Sequence, residues 1–332
     1  MKVAIHHREK SFSEVWIKYC ELNKVDYKIV NAFSSDIIDE VRDCNYFLWH
    51  HHHGLPKDIL AAKRVLYSLE QAGVKVYPDF YSGWHFDDKV GQKYLLEAIN
   101  APLVKSHVFY DKKEALKWSN DTVYPKVFKL RGGAGAKNVI LVNDKNSCQS
   151  LIKKAYNKGI AQDNVINAIK DDIIRFRKSK QLKELIKIPV RFLINIFKSR
   201  VREKGYVYFQ DFIPNNKFDI RIVVIGDKAI GERRFVREND FRASGSGNFS
   251  YEGVDTEVVK IAFSVARALK VQSIAYDFVL GVNGEPLIVE ISYGFGREGI
   301  SKAPGYWDNN LNWHISSVEP EIWILEDLLN KK

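Results

Sequence analysis

The sequence predicts a fold of mixed α/β and α+β character with more than one packed unit, and three observations predict it. Residues 2–80 alternate short apolar runs with helical segments, the pattern of a small parallel sheet. Two later stretches, Lys217–Glu238 and Ser273–Tyr293, are paired β-rich runs around Gly226-Asp227 and Asn283-Gly284, the pattern of antiparallel hairpins. At 332 residues the chain has room for two or three such units.

Taken in order, KVAI is a strand, Ser11–Asn23 a helix, DYKIV a strand, Asp36–Arg42 a short helix and NYFLW a third strand. Asp58–Ala72 is a helix with Ile59, Leu66 and Leu69 expected on its inner face, and VKVY is a fourth strand. The first strand runs into HHRE without a glycine-rich turn, which gives a nicotinamide cofactor no support. His50–His53 follow the third strand, at the end of the sheet where open α/β folds bind ligands. Four consecutive histidines point in different directions and have no carboxylate or cysteine beside them. A polar loop touching an anionic substrate is therefore preferred over a metal tract.

His85–Asn100 reads as a helix with Asp87 or Asp88 near its start and Tyr94, Leu95 and Ile99 turned inward. Lys89 falls in its first turn, where the helix dipole gives a cation no help, so by itself it reads as a solvated lysine. Ala101–Tyr110 is a strand and Lys112–Asn120 a helix. Tyr124–Val142 is strand, glycine-rich loop (Gly132, Gly133, Gly135) and strand. Lys129 enters that loop, and Arg131 and Lys137 lie within it. Glycines let backbone N–H groups close over an anion, so the loop suits a lid on a polyphosphate, or else an ordinary hairpin with a basic rim. It lacks the Gly-Lys-Ser/Thr ending of a Walker A loop and the third glycine of a dinucleotide fingerprint.

Composition narrows the function classes. A hydrophobic fraction of 45% and a charged fraction of 28% are ordinary for a soluble protein. No apolar run is long enough to span a membrane, and the three cysteines lie far apart, which predicts a reduced, cytoplasmic chain. The net charge of +10 is concentrated: Lys170–Lys204 holds twelve Lys/Arg against four Asp/Glu, a surplus of eight. One basic segment argues for a local partner rather than nucleic acid. This segment belongs to a helical insert, residues 164–204. Its part with Lys187, Arg191, Lys198 and Arg200 suits docking on the protein itself, or peripheral contact of 187–204 with an anionic membrane face or acidic substrate.

The hairpins carry the chemistry. A two-residue Asn283-Gly284 turn pairs Val282 with Glu285 and so sets Asp277 opposite Glu290. Two facing carboxylates repel, and a hard divalent cation between them removes the conflict, with Ser292 on the same face. In the Gly226-Asp227 hairpin, Asp219, Arg221 and Arg234 share one face and Arg233 points to the other, where it is expected to be solvated. Arg221 and Arg234 are thus the candidates for stabilising phosphoryl charge. The loop after it, with Asn239 and Arg242, orients an anionic substrate or is a polar surface loop; Ser244 and Ser246 lack nucleophile-elbow spacing.

Asp88-Lys89, Lys129 with its glycine loop, Gln210–Ile213, Asp219-x-Arg221, Asp277 and Glu290-Ile-Ser292, in that order, resemble the ATP-grasp superfamily, most of all its RimK-like branch. The resemblance covers roughly residues 85–300. It implies an ATP-grasp fold with an N-terminal Rossmann-like pre-ATP-grasp domain (1–85), a central lobe (86–209) and a C-terminal lobe (210–332), with ATP held between two lobes. Lys89 and Lys129 would contact phosphates under the Gly132, Gly133 and Gly135 flap. Gln210 and the backbone of Phe212 and Ile213 would meet adenine, Asp219 would meet ribose, and Asp277, Glu290 and Ser292 would hold Mg²⁺. The family usually has Asn where this chain has Ser292, which puts a second metal ion in doubt. Residues 294–313 match no family motif and are expected to shape the acceptor pocket.

The function so implied is ATP-dependent joining of a small-molecule carboxylate to an amine through an acyl phosphate, with Arg221, Arg234 and Arg242 as catalytic residues. An acidic sugar or anionic lipid-linked glycan is the acceptor class suggested by the basic insert, the histidines and Arg242. The alternatives are a phosphotransferase acting on a hydroxyl and a nucleotide-binding, membrane-associated interaction protein.

Overall fold

The computed structural model describes residues 1–133, 138–161, 202–237, 241–243 and 247–330. Residues 1–103 and 215–332 form one compact unit and residues 104–214 a second.

The first unit opens with β1 (Lys2–His6), β2 (Asp26–Val30), β3 (Tyr46–Leu48) and β4 (Lys75–Tyr77), a four-stranded parallel sheet in the order β2-β1-β3-β4. Helices Ser13–Leu22, Ile37–Val41 and Pro56–Gln71 make the crossovers that parallel pairing requires. The Pro56–Gln71 helix buries Ala62, Leu66 and Leu69, but Ile59 is 55% exposed. Ala62, one and two turns before Leu66 and Leu69, continues the buried stripe, whereas Ile59, in the first turn and spaced for the same stripe, stays exposed. Helix Lys89–Ala98 starts where Asp88 accepts a bond from the Gly91 N–H at 2.9 Å. It buries Leu96, packs Leu95 beside it and turns Tyr94 outward, 45% exposed, against the expectation.

The second unit contains β5 (Ser106–Phe109), β6 (Lys126–Lys129), β7 (Ile140–Val142), the short pair β8 (Ile160–Ala161) and β9 (Arg202–Glu203), and β10 (Val207–Asp211). Its main sheet has the order β5-β10-β6-β7. Val207, Phe209 and Phe128 face helices Lys112–Asp121 and Lys145–Asn157 in one apolar cluster. Strand alternation therefore sends Tyr208, Gln210, Val127 and Lys129 to the opposite face. β6 and β7 pair as the two arms of the glycine-loop hairpin.

The chain then returns to the first unit with β11 (Phe218–Ile225), β12 (Lys228–Phe235), β13 (Phe249–Ser250), β14 (Ser273–Leu280), β15 (Pro286–Ser292), β16 (Gly305–Asp308) and β17 (Trp313–Ile315). They form one sheet in the order β15-β14-β11-β12-β16-β17, with β13 beside β12. One face packs Ile220, Ile222, Ile274, Tyr276 and Phe278 on helix Thr256–Leu269. The other face carries Val223, Ile225, Ile230 and Ala275 in a second cluster with Trp16 and Tyr293.

The Asn283-Gly284 turn differs from its expected form. Gly281, not Val282, pairs with Glu285 (2.8 Å), leaving a three-residue loop that ends on Gly284 at φ 82°. That moves the register by one, and Leu280 faces Pro286. A β-bulge between Asp277 and Phe278 on the β14 side, where Val289 is the extra residue of β15, moves it back. Asp277 therefore does face Glu290, because two one-residue departures cancel.

Candidate active site

On β11 the residues of one face change from apolar to charged along the strand: Ile225 and Val223 belong to the core, Arg221 and Asp219 do not. Cross-strand pairing aligns the neighbours, with Asp219 opposite Arg234, Arg221 opposite Glu232 on β12 and opposite Asp277 on β14, and Asp277 opposite Glu290 on β15. Six charged side chains thus share one end of one sheet face. Glu232 was not singled out from sequence, although the turn that aligned Asp219 with Arg234 also sets it opposite Arg221.

The charges are closely paired. Arg221 Nε donates to Asp277 Oδ1 at 2.9 Å, and its Nη2 to Oδ2 at 3.1 Å. Arg234 grips Asp219 in a two-bond fork (2.7 and 2.6 Å) and reaches Asp277 Oδ2 at 2.8 Å. Burial alone would raise the Asp277 carboxyl, but the two guanidiniums outweigh it and hold it down at about 2. Burial, followed by the neighbouring Asp277 charge, pushes Asp219 up. Burial likewise pushes up Glu232, which is 2% exposed and whose Oε2 has no hydrogen-bond partner. Arg233 is not solvated: it is half-buried, its guanidinium lies 4.5 Å over the Phe218 ring, and it donates to the Gly253 carbonyl.

Glu290 is neutralised separately. Lys89 Nζ lies 3.0 Å from its Oε1, and Lys89 is only 6% exposed, so the solvated reading of this lysine is overturned. The helix that carries it is fixed to the same strand, since Gln92 accepts from the Ile291 N–H at 3.2 Å. Ser292 Oγ donates to the Gly294 carbonyl at 2.7 Å and accepts from the Gly294 N–H at 3.1 Å. The expected repulsion between Asp277 and Glu290 is thus relieved by cations of the chain, two arginines on one carboxylate and a lysine on the other.

A divalent cation still fits this donor set. Glu290, with 31% of its side chain exposed, has the accessible oxygen, Asp277 lies beside it, and Ser292 Oγ keeps a lone pair. Mg²⁺ takes one or two protein carboxylates and completes its shell with phosphate and water oxygens. Among the described residues no three His, Cys, Asp or Glu side chains form a group that could hold a metal ion.

In the second unit Lys129 is buried at 6% and donates to Gln210 Oε1 at 2.6 Å, while Gln210 Nε2 donates to Ser106 Oγ at 3.2 Å. Lys126 pairs with Asp211 at 2.6 Å on the opposite, helix-facing side. The start of the glycine loop is tethered: Arg131 N–H donates to Tyr206 Oη at 2.6 Å, and Gly132 N–H to Glu203 Oε1 at 3.4 Å. Gly133 has φ 110°, which only glycine adopts readily. Gly135 and Lys137 lie outside the described residues, as do Asn239, Ser244, Ser246 and insert residues 164–201. Phe212 and Ile213 follow β10 half-buried, and the Arg242 carbonyl accepts from the Arg237 N–H at 3.2 Å.

A known domain family matches residues 191–311, the stretch that holds Arg221, Arg234, Asp277 and Glu290. Over those residues the chain matches a RimK-like ATP-grasp domain. Its ATP-grasp fold is similar to a RimK domain ATP-grasp protein from Sphaerobacter thermophilus, with a TM-score of 0.55 at 15% identity over 88% of this chain and 90% of that one. In sequence it is 26% identical over 251 residues to the alpha-aminoadipate–LysW ligase LysX of Saccharolobus solfataricus, covering 74% of this chain and 73% of that protein. It is 32% identical over 106 residues to a ribosomal protein bS6–L-glutamate ligase of Escherichia coli O139:H28, which is 30% of this chain and spans 35% of that ligase.

Proposed function

We propose that this ATP-grasp protein is an ATP-dependent carboxylate–amine ligase that forms an amide or peptide bond through an acyl phosphate. The observation that carries the reading is the Asp219–Arg234–Asp277–Arg221 network beside Glu290 and Lys89 on one sheet face. ATP-grasp enzymes use ATP and Mg²⁺, and the two relatives are named as ligases.

In this reading Asp277, Glu290 and Ser292 hold Mg²⁺, which neutralises phosphate charge when bound. Arg221, with 22% of its side chain exposed, reaches the transferring phosphoryl group. Arg234 has 4% exposed and is committed to two carboxylates, so it acts as a buttress that keeps Asp277 ionised and Arg221 in place. Lys89 contributes positive charge at the phosphates, with Glu290 holding its ammonium. Lys129 and Gln210 are assigned to the nucleotide, with the backbone of Phe212 and Ile213 at adenine, Asp219 near the ribose and Arg242 at the anionic substrate. Gly132, Gly133 and Gly135 form the flap. The carboxylate oxygen attacks the γ-phosphorus and ADP leaves; the amine then attacks the acyl carbon and inorganic phosphate leaves. The finer acceptor reading is an acidic sugar or surface glycan, with cytoplasmic placement and peripheral membrane contact through 187–204. Among the described residues no helix is long and apolar enough to cross a membrane.

Coupled assays of ADP and phosphate test the proposal. Free phosphate that appears only when a carboxylate and an amine are both present is the expected result. ADP formation that follows a hydroxyl acceptor and leaves a stable phosphoester would replace the ligase with a phosphotransferase. Activity retained in both Asp277→Asn and Glu290→Gln would remove the assignment of these residues.

A further inference from the structure

Arg8 and His50 follow β1 and β3, at the carboxyl ends of two adjacent parallel strands, where open α/β sheets place their ligands. Arg8 is half-buried, its Nε is buried without a hydrogen-bond partner, and its one side-chain bond is a long 3.5 Å contact to the His50 carbonyl. Among the described residues no carboxylate lies within ion-pair distance of it. A guanidinium in that condition calls for an explanation, because buried donors are nearly always satisfied.

The His50 ring explains part of it. The ring stacks on Phe12 with centroids 3.7 Å apart and an angle of 8° between planes. Its Nδ1 accepts from the Phe12 N–H at 3.2 Å, so in the neutral ring Nε2 carries the proton and is a donor. A Cβ built on Gly294 would lie 3.7 Å from that Nε2, and one built on Gly296 would meet nothing within 4 Å. Phe295 between them packs on Phe12 (5.0 Å), which pins the loop while both glycines leave its backbone bare. The loop continues directly from Ser292, the end of the strand that carries Glu290. Arg297, at the far side of the loop and paired with Glu321 at 2.5 Å, adds positive charge near the ring.

We propose that the Arg8 guanidinium and the His50 Nε2–H together bind an oxyanion group of the substrate, one that is not itself phosphorylated, and so select an anionic substrate and orient it toward Glu290. The assignment to a substrate rests on the ligase reading, while the oxyanion site itself does not. The histidine tract then has a division of labour. His51 is buried under Tyr293, whose hydroxyl donates to the His51 carbonyl at 2.5 Å, whereas His50 turns its Nε2 toward the Gly294 loop.

The test uses the full chain with ¹⁵N-labelled imidazoles, titrated separately with D-glucuronate and with inorganic phosphate. The expected result is saturable movement of the His50 Nε2 resonance with at least one of the two, and the stronger binder identifies the oxyanion as carboxylate or phosphate. Arg8→Gln should weaken that binding about tenfold or more, as loss of a charge-assisted bond predicts, and Arg8→Lys should restore most of it. His50→Phe keeps the stack on Phe12 and should weaken binding similarly. Unchanged affinity in Arg8→Gln, or saturation by neither anion in the wild type, would overturn the site. Failure of the ligase reading would show instead as no phosphate release from any carboxylate–amine pair, with the imidazole titration unaffected.

Discussion

Removing one carboxylate at a time separates the two neutralised sites on the sheet face. Asp277 receives N–H groups from two arginines, and Arg234 is nearly buried, so Asp277→Asn leaves Arg234 and Arg221 with one shared anionic partner fewer in a poorly solvated place. Breaking a buried pair from one side costs about 3–5 kcal/mol. Glu290→Gln leaves Lys89 as the stranded charge, but Glu290 is 31% exposed, so water reaches the site and the expected loss is smaller, about 1–2 kcal/mol. Urea denaturation without nucleotide or Mg²⁺, read by tryptophan fluorescence, measures both. The difference should persist in high salt, because the Asp277 pairs are shielded from it. Equal losses in the two variants, or a loss under about 1 kcal/mol for Asp277→Asn, would refute the view that the arginines rather than a metal ion hold this carboxylate in the ligand-free protein.

Stability should also fall steeply in mild acid. Burial lowers His51 to about 3 and His85 to about 4, and neither His51 Nε2 nor either His85 ring nitrogen has a hydrogen-bond partner. Because these pKa values lie below the unfolded value near 6.5, the unfolded chain takes up the protons first. The stabilisation is complete above pH 6.5 and is lost at roughly 1.4 kcal/mol per histidine per pH unit below it, so denaturation midpoints at pH 7.5 and 5 should differ and His85→Phe should flatten the slope. Gly226→Ala should destabilise by at least about 1–2 kcal/mol, since φ there is 56° and a Cβ would collide with the Asp327 carboxylate; an unchanged melting temperature would contradict this. Lys129→Met should weaken binding of a fluorescent ATP analogue about tenfold while leaving the fold intact, and equal affinity would remove Lys129 from the nucleotide site.

The alternation of residues 2–80 and the glycine turns were legible because they are local: each depends on a few adjacent residues and on a side-chain period of two or 3.6. The Asp277–Glu290 alignment was also read correctly, but through a turn one residue too tight, and the bulge that compensates has no local signal in Val289. Ile59 and Tyr94 were placed inward by spacing alone, whereas the direction of a helix face is set by what the helix packs against. Lys89 shows the limit most plainly. A cation in a first helical turn reads as solvated until the strand holding Glu290, two hundred residues later, is brought beside it.

By itself the sequence determined which residue types stand at which end of each hairpin, and their order was enough to indicate the superfamily. Which charge answers which was decided only by the tertiary structure. Arg234 reaches Asp219 and Asp277 because β11 lies between β12 and β14, and Arg8 meets His50 because β1 lies beside β3. Electrostatic pairing depends on distance and burial, and both are set by strand order, which composition and periodicity do not encode.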